Sequence, residues 1–176
     1  MNQLQIYQDA QRVFRQYGTR DPLEIIDAAP SMKLWPTDGF GENGLKGFST
    51  LSNQTYYIVV NSFLSIEEAR VVAGHELGHV FEHALQLRCQ TMQDFDIYQA
   101  KGKLEREANF FAADLMIDDE RVLDLIYSGN TDFFDVARAL NIPAPFLGFK
   151  LYSLIGRGER LRLPIDMDNR FLRSKH

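Results

Sequence analysis

Ser65-Ile66-Glu67-Glu68-Ala69-Arg70-Val71-Val72-Ala73-Gly74-His75-Glu76-Leu77-Gly78-His79 is the segment on which the fold turns. Ser65 followed three residues later by Glu68 forms a capping box, in which each side chain satisfies a backbone N–H at a helix start. The spacing predicts a helix from Ser65 through His75 and His79 to about Leu85. Gly74 and Gly78 both fall inside it. Each glycine costs about 1 kcal/mol relative to alanine there, so two in one turn point to a neighbour that approaches closely.

Upstream, Leu4, Ile6, Tyr7, Ala10, Val13, Phe14 and Tyr17 recur at helical spacing as far as Gly18. Asp21-Pro22 opens a short second helix, and Pro30 follows its end. Ser31 to Trp35 reads as a strand and the glycine-rich Pro36 to Gly47 as a loop. Gly47 to Leu51 and Tyr56 to Val60 are β-prone runs on either side of Ser52-Asn53-Gln54, a hairpin signal. Downstream the pattern stays helical. Helices are expected at about Lys101 to Ile117, from near Asp119, at Thr131 to Leu140 and at Ala144 to Leu154, the last two parted at Pro143 and Pro145. Helix, small sheet, then helices is the order of an α+β fold with a small antiparallel or mixed sheet. We expect a core over residues 1–128, a C-terminal helical extension over 129–156 and a polar tail over 157–176.

Composition narrows the function. An apolar fraction of 45% with 13 phenylalanines suffices for a buried core in a chain of 176 residues. A net charge of −5 without a long basic run argues against nucleic acid as a direct ligand. Lys150, Arg157, Arg160 and Arg162 read as a solvated helix face and tail rather than a basic patch. The last helix opens Ala144-Pro145-Phe146-Leu147-Gly148-Phe149, an apolar face where a DNA-reading helix would offer Arg, Lys, Asn or Gln. Met1 to Ala10 holds no signal-peptide core, and no window reaches the ~18 apolar residues of a membrane span. A single cysteine, Cys89, forms no intramolecular disulfide and reads as an ordinary half-buried residue. The expected compartment is the cytoplasm.

His75-Glu76-Leu77-Gly78-His79 carries the chemistry. Residues four apart on a helix share a face, with Cβ atoms ~5–6 Å apart. Two imidazoles so placed can each bring a nitrogen ~2.0–2.1 Å from one Zn²⁺. Glu76, one position round the helix, is held beside the metal rather than on it, where it can take a proton from a metal-activated water. A catalytic zinc needs one more protein ligand and a position left open. The candidates are His83, Glu105, Glu107 and Asp114. His83 lies roughly 80° round the helix from His75 and reads as a structural or rim residue. Ala108, Phe111, Ala112, Leu115 and Met116 mark the buried face of the second long helix, and Glu105 lies on it. A buried carboxylate needs a cation or metal, which favours Glu105 over Glu107. Asn109 shares that face and can orient a ligand from behind.

Val71 to His79, together with Leu104-Glu105-Arg106-Glu107-Ala108-Asn109-Phe110-Phe111-Ala112-Ala113, resembles the two signatures of the ImmA/IrrE family of metallopeptidases. One departure is Leu115-Met116-Ile117-Asp118, where that family often has Leu-Leu-Met-Pro. The resemblance implies one Zn²⁺ per chain on His75, His79 and Glu105, with Glu76 as general base. It also implies a two-helix, zincin-like core of reduced thermolysin type. The implied substrate is a protein, a helix-turn-helix repressor of a phage, mobile element or stress response. The rival reading is a non-catalytic, metal-containing protein-binding regulator, although such a protein has no use for Glu76. In peptidases of this type an edge strand pairs with the extended substrate. Tyr56 to Val60 is the candidate, with an interior place in the sheet as the alternative. Tyr56, Tyr57, Tyr98 and His83 stay open as oxyanion stabilisers.

Overall fold

Asn2 accepts from the Gln5 amide at 2.8 Å, which caps α1 (Gln3–Tyr17). Gly18, at φ 72°, ends that helix in the left-handed conformation that glycine adopts without penalty. The architecture is that of a computed structural model, which describes residues 2–88, 92–94, 102–129 and 132–161. Cys89, Tyr98, Arg162 and His176 lie outside these residues. Asp21 caps α2 (Pro22–Ala28), and β1 (Met32–Thr37) follows it.

β2 (Gly47–Ser52) and β3 (Thr55–Asn61) form the expected hairpin. Its loop is shorter than the three residues the sequence suggested. Only Asn53 and Gln54 turn the chain, both at positive φ, 47° and 64°. That two-residue turn matches the right-handed twist of the strands it joins. β1 pairs parallel with β3, placing Met32 opposite Tyr56 and Thr37 opposite Asn61. A short β4 (Met92–Asp94), which the sequence did not announce, pairs antiparallel with β2. The sheet order is β1-β3-β2-β4. Tyr56 to Val60 is therefore interior, hydrogen-bonded on both sides, and the edge-strand expectation is wrong. The outermost strands are β1 and β4.

α3 (Ile66–Glu82) starts at the capping box, with Ser65 and Glu68 bonded reciprocally at 3.2 Å. Every residue from Val71 to Val80 is buried, so this helix is covered on all sides rather than amphipathic. It lies against β2 and β3 on one side and α5 (Lys103–Met116) on the other. The expected single helix to Leu85 breaks at His83, after which a short α4 (Ala84–Leu87) runs on. The chain continues through α6 (Asp119–Tyr127), α7 (Phe133–Leu140) and α8 (Ala144–Gly156). The fold is α+β.

Phe146, Leu147, Phe149, Leu151 and Leu154 of α8 pack into the same core as Phe111 and Leu115 of α5. Lys150 is wholly buried, 3.0 Å from Asp114 and 2.5 Å from Asp119, and Arg157 pairs with Asp119 at 2.8 Å. These two cations are turned inward, tying α8 to α5 and α6, and present no basic patch. Among the described residues no helix is long and apolar enough to cross a membrane.

Glu82 ends α3 beside α1. Burial, then the negative fields of Asp9 and Glu107, push its carboxyl up to about 7. The folded chain thus holds a proton that the unfolded chain releases near 4.5. Such a group favours the fold fully below 4.5, and that advantage is lost as pH rises through 7. Glu82→Gln should accordingly leave stability near pH 4.5 unchanged and raise it at pH 8 by about 1–2 kcal/mol, after discounting for partial solvent screening. Urea denaturation of the two proteins at both pH values measures the gap; an equal gap at the two values contradicts the assignment.

Candidate metal centre

His75 and His79 share one face of α3, as their spacing requires, and both are wholly buried. Their Nε2 atoms lie 3.0 Å apart. Glu105, in the first turn of α5, brings its Oε2 to 3.3 Å from the His75 nitrogen and 3.5 Å from that of His79. Three ligand atoms, each ~2.0–2.1 Å from one tetrahedral cation, sit about 3.3 Å from one another. The donor set therefore fits a single divalent ion without rearrangement. Among the described residues this is the one group of three His, Cys, Asp or Glu side chains that could hold a metal. Glu105 keeps 27% of its side-chain surface exposed, so the cluster is walled by helix on the histidine side and open on the carboxylate side.

The backs of both imidazoles are held. His75 places its Nδ1 2.9 Å from Asn109 Oδ1, an acceptor that keeps the proton on Nδ1 and leaves Nε2 free for a cation. His79 Nδ1 lies 3.1 Å from His83 Nδ1, and His83 Nε2 lies 3.2 Å from Glu107 Oε2. Burial holds the His83 imidazole below its usual range, against the hydrogen bond to Glu107 that raises it.

The two carboxylates of α5 reverse the expected burial: Glu107, set aside as lying off the buried stripe, is the more buried, and Glu105 is only partly buried. The stripe located the face of α5 that meets α3, but not which carboxylate would find a cationic site and which a histidine. Asp114, the remaining carboxylate candidate, is committed to Lys150 and Ser153 far along α5.

Glu76 is buried on the sheet side of α3. A Cβ built on Gly47 would lie 3.6 Å from its Oε1, 2.5 Å from Val72 Cγ1 and 2.9 Å from the Val59 carbonyl. Gly47 therefore lets the first residue of β2 close onto α3 beside Glu76, and no sequence signal marked that role. Tyr57 lies on the other face of the sheet, its ring tilted at 60° to that of Trp35 with centroids 6.2 Å apart. There it lines a cavity of about 420 Å³ with Phe40, Phe48 and Val59. Tyr56, half-buried on the core side, sits four residues along β3 from the Val60 that faces Gly47, roughly 13 Å away.

The chain is similar to proteins of one peptidase family. Residues 31–152 match the IrrE N-terminal-like domain, a peptidase family. An uncharacterized immunity region protein 2 of Bacillus phage phi105 is 30% identical over 142 residues, 80% of this chain and 85% of its own length. The metallopeptidase ImmA of Bacillus subtilis (strain 168) is 28% identical over 146 residues, covering 82% of each chain. No solved structure matches the chain significantly.

Proposed function

This chain belongs to the IrrE N-terminal-like peptidase family, and on that premise we propose a zinc-dependent endopeptidase that cleaves a protein substrate in the cytoplasm. The observation that carries the reading is the convergence of His75 Nε2, His79 Nε2 and Glu105 Oε2 within 3.0–3.5 Å, with one side open and Glu76 on the neighbouring position of α3. The α3–α5 pair is read as a zincin-like core of reduced thermolysin type.

Zinc, when bound, supplies Lewis-acid polarisation of the scissile carbonyl and of the attacking water. His75, His79 and Glu105 would hold it, with the carboxylate side of the cluster left open. Glu76 takes the water proton and later delivers it to the departing amine. Asn109 holds His75 in the tautomer that presents Nε2. With β3 interior, the strand assigned to guide an extended substrate is β4, whose Asp94 stands opposite Gly47 in the sheet and so level with Glu76. The substrate is assigned to the helix-turn-helix repressors, a reading supported by the ImmA/IrrE resemblance and by the phage immunity-region relative.

The test is cleavage of the repressor encoded beside this gene. Purified protein should carry about one zinc per chain and cut the repressor. Stripping the metal with a chelator should abolish cutting, and one equivalent of zinc should restore it. Zinc bound with the repressor intact would replace this reading by that of a metal-containing binding regulator.

A further inference from the structure

His83 and Glu107 are polar, buried and beside the cluster, and the mechanism proposed above gives neither of them a step. His83 is 2% exposed and terminates α3, its ring 5.3 Å from that of His79. Glu107 is buried on α5, with its Oε2 3.2 Å from His83 Nε2. A carboxylate buried against a helix pair is unfavourable unless it accepts hydrogen bonds, and a leucine or methionine would fill the same space at less cost. Glu107 Oε1 lies 3.9 Å from the exposed Lys103 ammonium, while its Oε2 turns to His83 behind the cluster.

Counting protons gives that contact a role. If His79 Nε2 offers its lone pair to a cation, its proton must sit on Nδ1. That Nδ1–H points at His83 Nδ1, 3.1 Å away, which must then be an acceptor. His83 is left with its own proton on Nε2, and that atom faces Glu107, an acceptor-only group when ionised. One arrangement of protons satisfies these two contacts, running from Glu107 through His83 to His79. Without Glu107, His83 is free to carry its proton on Nδ1. Two N–H groups would then face each other and His79 would be turned from its ligating orientation.

We propose that Glu107 and His83 are positioning residues for the metal centre, a carboxylate–imidazole pair that fixes the tautomer and ring orientation of His79 from behind. The proposal rests on the metal-site reading above. It makes the described supports of the two ligating histidines unlike: the Asn109 amide behind His75, a charged two-residue relay behind His79. A carboxylate at the end of such a relay raises the basicity of the ligating nitrogen, which an amide does less well.

The experiment compares wild type, Glu107→Leu and Glu107→Gln by competition with a chromophoric zinc chelator, by the visible spectrum of the cobalt(II)-substituted protein, and by melting of the metal-free form. Glu107→Leu should bind zinc about 10–100-fold more weakly and show a shifted cobalt spectrum, while its metal-free form melts no lower than wild type. Glu107→Gln keeps a carbonyl that accepts from His83 Nε2–H and should recover part of the affinity. Nitrogen NMR of ¹⁵N-histidine-labelled, zinc-loaded wild type needs no variant. It should show His83 protonated on Nε2 and His79 on Nδ1. Wild-type affinity and spectrum in Glu107→Leu, or a His83 proton on Nδ1, would overturn the relay and leave the metal site standing. Absence of zinc binding by wild type itself would overturn both.

Discussion

Glu76→Gln should bind zinc as wild type does and lose about a thousandfold in kcat toward the repressor. Glutamine matches the volume of the buried glutamate and carries no charge, so the packing of α3 on the sheet beside Gly47 is preserved. What it removes is the proposed base. General base catalysis by a positioned side chain contributes about 10²–10⁴-fold, and a neutral amide can neither take the water proton nor return it to the leaving amine. The zinc content of the purified variant is the control that gives the result meaning. Full zinc with no cleavage places Glu76 in the reaction. Lost zinc would make it part of the site's construction, and residual activity above a tenth of wild type would move the base elsewhere.

Gly78→Ala should disturb the metal centre without touching a ligand. A Cβ at Gly78 would lie 2.7 Å from Ala108 Cα and 2.8 Å from the Ala108 carbonyl oxygen. Both are backbone atoms of α5, and no rotamer can remove them. Helix α5 must shift, and Glu105 and Asn109, within a turn of Ala108, must shift with it. Overpacking of this kind costs about 1–3 kcal/mol, offset by up to about 1 kcal/mol of helix propensity. We expect the melting temperature to fall by about 2–8 °C and zinc affinity to fall at least tenfold as the third ligand moves off its 3.3–3.5 Å spacing. Gly74→Ala is the matched comparison. Its Cβ would meet Met116 Sδ at 2.7 Å, on a flexible side chain that can move, Pro22 Cγ of α2 at a tighter than usual 3.3 Å, and Ala112 Cβ at an ordinary 3.5 Å, none of them a backbone atom of α5. Zinc affinity should therefore stay near wild type. Equal losses in the two variants would show that the α3–α5 approach at Gly78 does not set the metal geometry.

Most helices and the hairpin were legible because their signals are local. The capping box at Ser65, the proline after Asp21 and the apolar spacing of α1 and α5 each act within a few residues of chain. β4 was not legible, since a strand of three residues has no period to detect. The interior place of Tyr56 to Val60 was not legible either. Apolar character says that a strand is covered, and the parallel partner that covers its second edge, β1, comes from before the hairpin. Lys150 and Arg157 illustrate the same limit for charge. Read along the chain they look like a solvated face, yet Asp114 and Asp119 draw both inward.

The pairing of His75 with His79, and Glu76 between them, was decided by the sequence itself, because a four-residue spacing on a helix puts two side chains on one face whatever packs around them. Tertiary structure decided the rest of the centre. His75 meets Asn109 across 34 residues of chain, and His83 meets Glu107 across 24. Which of two carboxylates on α5 reaches the histidines depends on how closely that helix crosses α3, and the absence of a side chain at Gly78 sets that distance. Helical periodicity fixes the angle of each residue about its own axis. It carries no information about the separation and rotation of two axes, and the third ligand is a property of that relation.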